Sequence, residues 1–351
     1  MNRTATACWT LGRLMLGVCT GVSTMTIAAV AQPTTAQTPE QFYKGKTLTI
    51  MLGHPPGGSY HMYATLAANH LKKHIPGSPN IILEHRPGGG GVRAMRYFYT
   101  NAPRDGSVLG LFPETIAHTE LLQPEIGQWR TLEMTYIGTF SGVGAVMMRR
   151  PNAPAKTIEE MRKVTSSVGC SGKTSQAYQT AAMMKNLGGF KFNIICGYPG
   201  SAEYVLAMVR GEVDMVPSAW LQWRTAHVDD IANGKMVPVI QTGLRRNREL
   251  PNLPLMQEVI DDPTAKKVIE FVSAGTAFGR ALIAPPRVPA DRIVTLRAAF
   301  DSLIKDPAFL KDAERAKAQI DPTSGPELQK ELIALFKAPK DIIERAKVSM
   351  D

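Results

Sequence analysis

From residue 47 onward, short unbroken apolar runs alternate with segments whose apolar positions recur at helical spacing. The runs at 47–52, 80–84, 108–112, 144–148, 166–170, 193–196, 213–216, 237–242 and 281–284 read as strands. The stretches 60–73, 92–99, 158–162, 175–187, 202–209, 290–304 and 328–336 read as helices. Thr157 followed by Glu160 is a capping box, which sets one helix start. Strands alternating with helices at this spacing predict an α/β fold with parallel sheets. Residues 157–250 carry a complete set of such units by themselves, so the chain divides into two lobes with a cleft between them. The first lobe is expected over 42–142 and 276–351, the second over 143–275. Both crossings contain glycine (Gly138, Gly142 and Gly144 outward, Gly275 and Gly279 on return), as a hinge requires.

Chemistry enters at the turns. Gly53-His54-Pro55-Pro56-Gly57-Gly58-Ser59 lies between the first strand and the first long helix. A Pro-fixed turn with two glycines feeding a helix N-terminus leaves backbone N–H groups free at one point, where the helix dipole also favours negative charge. A second such loop, Pro87-Gly88-Gly89-Gly90-Gly91, follows the second strand. The stretch Ser167-Val168-Gly169-Cys170-Ser171-Gly172-Lys173-Thr174 imitates a phosphate-binding loop, but Ser167 stands where that motif needs glycine, which argues against nucleotide. The same geometry instead turns amides and the Thr174 hydroxyl toward the cleft. His54 and His61 flank the first loop and can either meet a carboxylate when protonated or pack in the wall. His70 and His74 have metal-like spacing but sit beside Lys72 and Lys73, and a solvated face is expected there.

The N-terminus changes the compartment. Arg3 and Arg13 precede the uncharged stretch 14–28, and Ala29-Val30-Ala31 fits a cleavage site, so 1–31 reads as a signal peptide and 32–41 as a disordered leader. The formal charge of +10 becomes +8 without Arg3 and Arg13. A basic chain suits acidic ligands, and the absence of long Lys/Arg blocks or stacking motifs argues against nucleic acid. Cys170 and Cys196 follow the leader, each near a strand end; they form either a disulfide or two buried thiols. Neither has the spacing of a zinc ligand, and no nucleophile-elbow motif is present.

These landmarks, in order, resemble a known family. Pro55-Pro56-Gly57-Gly58 is followed by Glu84-His85-Arg86-Pro87-Gly88-Gly89-Gly90-Gly91, Ala102-Pro103-Arg104-Asp105-Gly106 and Thr157-Ile158-Glu159-Glu160-Met161. Then come Tyr198-Pro199-Gly200-Ser201-Ala202, Gly211-Glu212-Val213-Asp214, Leu250-Pro251-Asn252-Leu253-Pro254 and Ala284-Pro285-Pro286-Arg287-Val288-Pro289. The series is similar to the Bug-type periplasmic solute receptors of tripartite tricarboxylate transporters, over nearly all of the chain after the leader. The resemblance implies a Venus-flytrap, periplasmic-binding-protein fold that takes small carboxylates, including di- and tricarboxylic acids and some amino acids. It implies first-lobe contacts from Pro56, Gly57, Gly58, Ser59, Gly89, Gly90 and Gly91, and second-lobe contacts from Gly172, Thr174, Ser175, Gly200 and Ser201. Departures from the family pattern are His61 in place of Asp, Val92 then Arg93 in place of Asn, and Ser218-Ala219 in place of Asp-Asn, followed by Trp220 and Trp223. Loss of acids with gain of His61 favours an anionic end group, and Trp220 can either floor a bulky ligand or belong to the core. The expectation is a periplasmic, monomeric, non-catalytic receptor without metal or cofactor. Its partners would be a small organic anion and the permease subunits of a membrane transporter. The alternatives are a ligand-sensing partner of a membrane histidine kinase, or a secreted enzyme on the same fold.

Overall fold

The computed structural model describes residues 37–350, so the expected signal peptide lies outside the described residues. Among the described residues, eleven strands form two sheets. The first sheet takes β1 (Thr47–Leu52), β2 (Asn80–His85), β3 (Val108–Leu111), β4 (Thr135–Thr139), β10 (Ala281–Ala284) and β11 (Thr323–Ser324), in the order β2-β1-β3-β10-β4-β11. The second takes β5 (Ala145–Arg149), β6 (Ser166–Cys170), β7 (Phe192–Cys196), β8 (Met215–Ala219) and β9 (Val237–Gln241), in the order β7-β6-β8-β5-β9. Helices before and between the first strands are α1 (Pro39–Tyr43), α2 (Ser59–His70), α3 (Val92–Asn101) and α4 (Ile116–Leu122). Those of the middle section are α5 (Ile158–Met161), α6 (Gln176–Gly188), α7 (Ser201–Arg210), α8 (Trp220–Ala226), α9 (Val228–Ala232) and α10 (Pro263–Ser273). The chain ends in α11 (Ala290–Leu303), α12 (Pro307–Arg315), α13 (Gly325–Phe336) and α14 (Lys340–Val348).

Every strand read from the sequence is present, within three residues at its ends, β8 being displaced furthest from its reading at 213–216. The sheets, however, are mixed and not parallel. β1 runs parallel to β2 and β3, and β6 parallel to β7 and β8, while β10 is antiparallel to β3 and β4, and β5 to β8 and β9. β10 and β5 adjoin the crossings between sheets, where direction follows from how the chain enters and not from the apolar pattern, and the two-residue β11 also runs antiparallel to β4. β4 carries Gly138 in mid-strand, a position a sequence reading demotes. The ring of Phe300 packs there: a β-carbon on Gly138 would lie 2.3 Å from it. Helix α1 occupies the end of the stretch read as leader, capped by Thr38 with Gln41 in a reciprocal box.

β1 shows why the sheets hold. Leu48, Ile50 and Leu52 enter one apolar cluster with Tyr63, Phe140 and Phe300, while Met51 points to the other with Met95 and Phe98. A strand covered on both faces reads as an unbroken apolar run. The two crossing segments lie side by side. Val143 N–H donates to Thr276 O (2.9 Å), and the buried Arg280 donates to Gly142 O (2.6 Å) and Ser141 Oγ (3.2 Å). Arg280 holds a left-handed φ of 51°, a conformation non-glycine residues rarely take. The register of β6 on β7 places Cys170 opposite Cys196 at a Cα separation of 4.5 Å, and the two form a disulfide. Helix α14, read with the first lobe, packs on α10 and α4. Past its end, Met350 O accepts from Tyr178 and Ser349 O from Asn186, both on α6.

Candidate functional site

The carboxyl ends of the parallel strands converge between the two sheets, the usual place for a ligand in an open α/β architecture. A cavity of about 710 Å³, its open mouth included, lies there. Gly58, Ser59 and Tyr60 at the start of α2 form one wall, Ser175, Gln176 and Ala177 at the start of α6 a second, and Ser201, Ala202 and Glu203 at the start of α7 a third. The first turns of α2 and α6 contain no acidic residue, whereas Glu203 occupies that of α7. Positive helix ends therefore face the cavity from two sides without an internal counter-charge.

Of the residues singled out from sequence, Pro56, Gly58, Ser59, Gly90, Ser175 and Ser201 line the cavity. Gly57 faces a neighbouring groove with Met62 and Val209. Gly89, Gly91, Gly172, Thr174 and Gly200 stand just behind the lining, where they bring the loops together. Thr174 Oγ1 donates to Gly89 O across the lobes (2.8 Å). A β-carbon on Gly172 would lie 3.1 Å from Gly90 N, one on Gly200 3.0 Å from Pro55, and one on Gly91 2.7 Å from Pro113. His61 and Trp220 are elsewhere. His85 donates from Nδ1 to the carbonyl of His54 (2.7 Å), so its Nε2 accepts from His61 Nδ1 (3.1 Å). The Trp220 indole N–H donates to Glu249 (2.5 Å), and Trp223 is fully buried, donating to Val146 O (2.9 Å). Arg93 is exposed, and His70 and His74 each face an aspartate, Asp312 and Asp306, at 2.8 Å.

Tyr60, Glu114, Tyr204 and Glu203 line the cavity and escaped the sequence reading, whereas His54, read there as flanking the first loop, packs in the wall. Tyr60 donates its hydroxyl to Glu114 Oε2, and the Glu114 N–H donates back to the Tyr60 oxygen (3.2 Å). Burial raises the Glu114 pKa, although the Tyr60 bond and the Arg280 charge pull the other way. His54 stacks on Tyr60 with ring centroids 4.3 Å apart. Its burial, with His85 nearby, lowers its pKa to about 4. Tyr204, also buried, has its hydroxyl pKa raised by burial against the opposing pull of Ser218 and Ser201. Glu203 Oε2 is out of solvent and has no hydrogen-bond partner. Glu114 and Gln176 also line a smaller cavity of about 330 Å³ that reaches His118 and Thr242. A positional signal existed for Glu114 and Ser218: both lie at or just beyond the carboxyl end of a strand.

Two α/β lobes that meet around a cavity at their crossing segments define a Venus-flytrap binding protein. Known structures share this architecture. The periplasmic binding protein BugD superposes with a TM-score of 0.67 at 19% identity, covering 88% of this chain and 98% of its own. MatC from Rhodopseudomonas palustris, solved with malate, gives 0.65 at 18% identity over 87% of this chain and 99% of its own. A second R. palustris protein, solved with adipate, gives 0.66 at 18% identity over 86% and 97%. A Cupriavidus necator protein described as "UPF0065 protein in gbd 5'region" is 23% identical over 245 residues, 68% of this chain and 71% of that protein. Residues 64–345 match the family model described as "Tripartite tricarboxylate transporter family receptor". The chain belongs to that receptor family.

Proposed function

We propose that this chain is a periplasmic receptor that captures a small carboxylate between its lobes for delivery to a transporter in the membrane. The observation that carries the reading is the wall formed by the acid-free N-termini of α2 and α6 with Gly90 between them. Amides and helix dipoles at these ends stabilise a carboxylate without a fixed counter-charge, which leaves release feasible. Malate and adipate in two structural neighbours favour the same ligand class.

The mechanism follows from where the contacts come from. A ligand held by Ser59 and Gly90 on one side and Ser175 on the other gains its full set only when the lobes are together. Binding therefore shifts the population toward the closed form. The paired crossings at 139–145 and 274–281 are the proposed hinge, and the closed face is the surface a permease would read. No part of this cycle makes or breaks a covalent bond.

Thermal unfolding of the purified protein with mono-, di- and tricarboxylates and amino acids tests the reading. A ligand at 100 times its Kd is expected to stabilise the fold by about 2.7 kcal/mol. If no acid in the panel moves the transition, the receptor reading fails.

A further inference from the structure

Beside the ligand cavity runs a second hollow for which a small, fully polar acid has no use. It measures about 1010 Å³, its open face included, and lies between the start of α2 in one lobe and α7, α8 and α9 in the other. Met62 stands on the α2 side, and Val205, Leu206, Val209 and Leu221 stand opposite. Val205 and Leu206 precede Val209 by one helical turn, so the three form one face of α7. Leu206 is 44% exposed and Val209 57%, although Val205 and Leu221 beneath them are buried. An apolar trough of this kind favours an apolar guest, because each methylene that enters it leaves water. No lysine or arginine lines it, and its titratable side chains, His227 and Asp230, bond to each other (3.2 Å).

The trough adjoins the cavity. Gly58, Ser59, Ala202 and Gln222 line both. Gly58 leaves room at this border: a β-carbon there would already stand 3.6 Å from Ser201 Oγ in the facing lobe, so a branched side chain would fill the gap. We propose that the trough is a subsite for a hydrocarbon tail, and that the ligand is an aliphatic monocarboxylate of medium chain length. Its head group meets the starts of α2 and α6, and its chain passes Gly58 and lies along Met62, Leu206 and Val209. Leu206 and Val209 are then the residues that set chain-length preference. A dicarboxylate of the same length would press its second charge onto an apolar wall without a cation to meet it, which costs desolvation and selects against it. Because the tail touches both lobes, its length also adds to the preference for the closed form. This inference rests on the receptor reading above and gives it a subsite outside the cavity.

Calorimetric titration with propionate, pentanoate, heptanoate and nonanoate, each below its micelle concentration, tests it. Affinity is expected to rise about two- to fourfold for each methylene added, at a stoichiometry near one. Nonanoate should bind about tenfold or more tighter than azelate, the dicarboxylate of equal length. In the double variant Leu206→Gln with Val209→Asn, both at exposed positions, the ratio per methylene should fall toward one and the preference over azelate should shrink with it. A flat series in wild type, azelate bound as well as nonanoate, or dicarboxylates bound with no monocarboxylate bound overturns the proposal and leaves the carboxylate receptor standing. A chain-length dependence undiminished in the double variant takes the tail out of this trough and overturns it as well. Absence of binding by every acid in this series and in the wider panel overturns the receptor reading and the proposal together.

Discussion

Gly90 sits where the second glycine loop meets the opposite lobe, at a left-handed φ of 69°. A β-carbon there would lie 2.6 Å from Thr174 Oγ1 and 3.1 Å from Ser175 N, so even alanine holds the loops apart. Gly90→Ala should weaken carboxylate binding tenfold or more, with about 1–2 kcal/mol of backbone cost to stability. Calorimetry and thermal unfolding measure the two separately, and an unchanged Kd would take this loop out of the site. Gly58 differs in kind: its φ of −92° suits any residue, and its added β-carbon would meet Ser201 Oγ at an ordinary 3.6 Å. The glycine-rich signature was thus readable in advance, but which glycine needs its conformation was not. His61 and Trp220 make the same point from the other direction. Each looked available in one dimension, and each is engaged by a residue distant in the chain, His85 and Glu249.

Strands were legible because burial on both faces writes an unbroken apolar run, and β1, β6 and β10 match their reading end to end. Elements that depend on tertiary support were not. β11 is two residues long and exists by pairing with β4, and α12 and α14 carry little apolar pattern beyond the faces they bury. The β6–β7 pair decides the cysteines: only the register shows that Cys170 and Cys196 are opposite each other. Their bond closes a loop spanning 26 positions, worth roughly 3.5 kcal/mol by loop-closure entropy. The double variant Cys170→Ser with Cys196→Ser should lose on the order of 2–4 kcal/mol in urea unfolding, and reduction of wild type should match it. An unchanged midpoint in both would show that the bond does not contribute.

Stability of the assembled molecule should depend on acidity through His118 on α4. This side chain is 1% exposed, donates from Nε2 to Phe271 O (3.0 Å), and packs its ring on Phe271 and against Gly275. Burial lowers its pKa from 6.5 to about 4, with the Phe271 bond opposing. The unfolded chain therefore takes up a proton below pH 6.5 that the folded one refuses until about pH 4. The contribution is complete above pH 6.5 and shrinks as pH falls through that window, by on the order of 3 kcal/mol in total. Urea unfolding at pH 7 and pH 4.5 should show the loss, and His118→Gln should flatten it; equal slopes in the two proteins would refute the assignment. Considered whole, the chain's sequence alone determined the strand and helix alternation, the two-lobed α/β class and the glycine turns that present free amides, because each rests on local backbone geometry and solvent-driven patterning. Tertiary structure alone decided the antiparallel strands beside the crossings, the disulfide, and the meeting of Tyr60, Glu114 and Glu203 around one cavity. Those depend on contacts between residues far apart in the chain, where direction, register and distance are set by packing and not by any local preference.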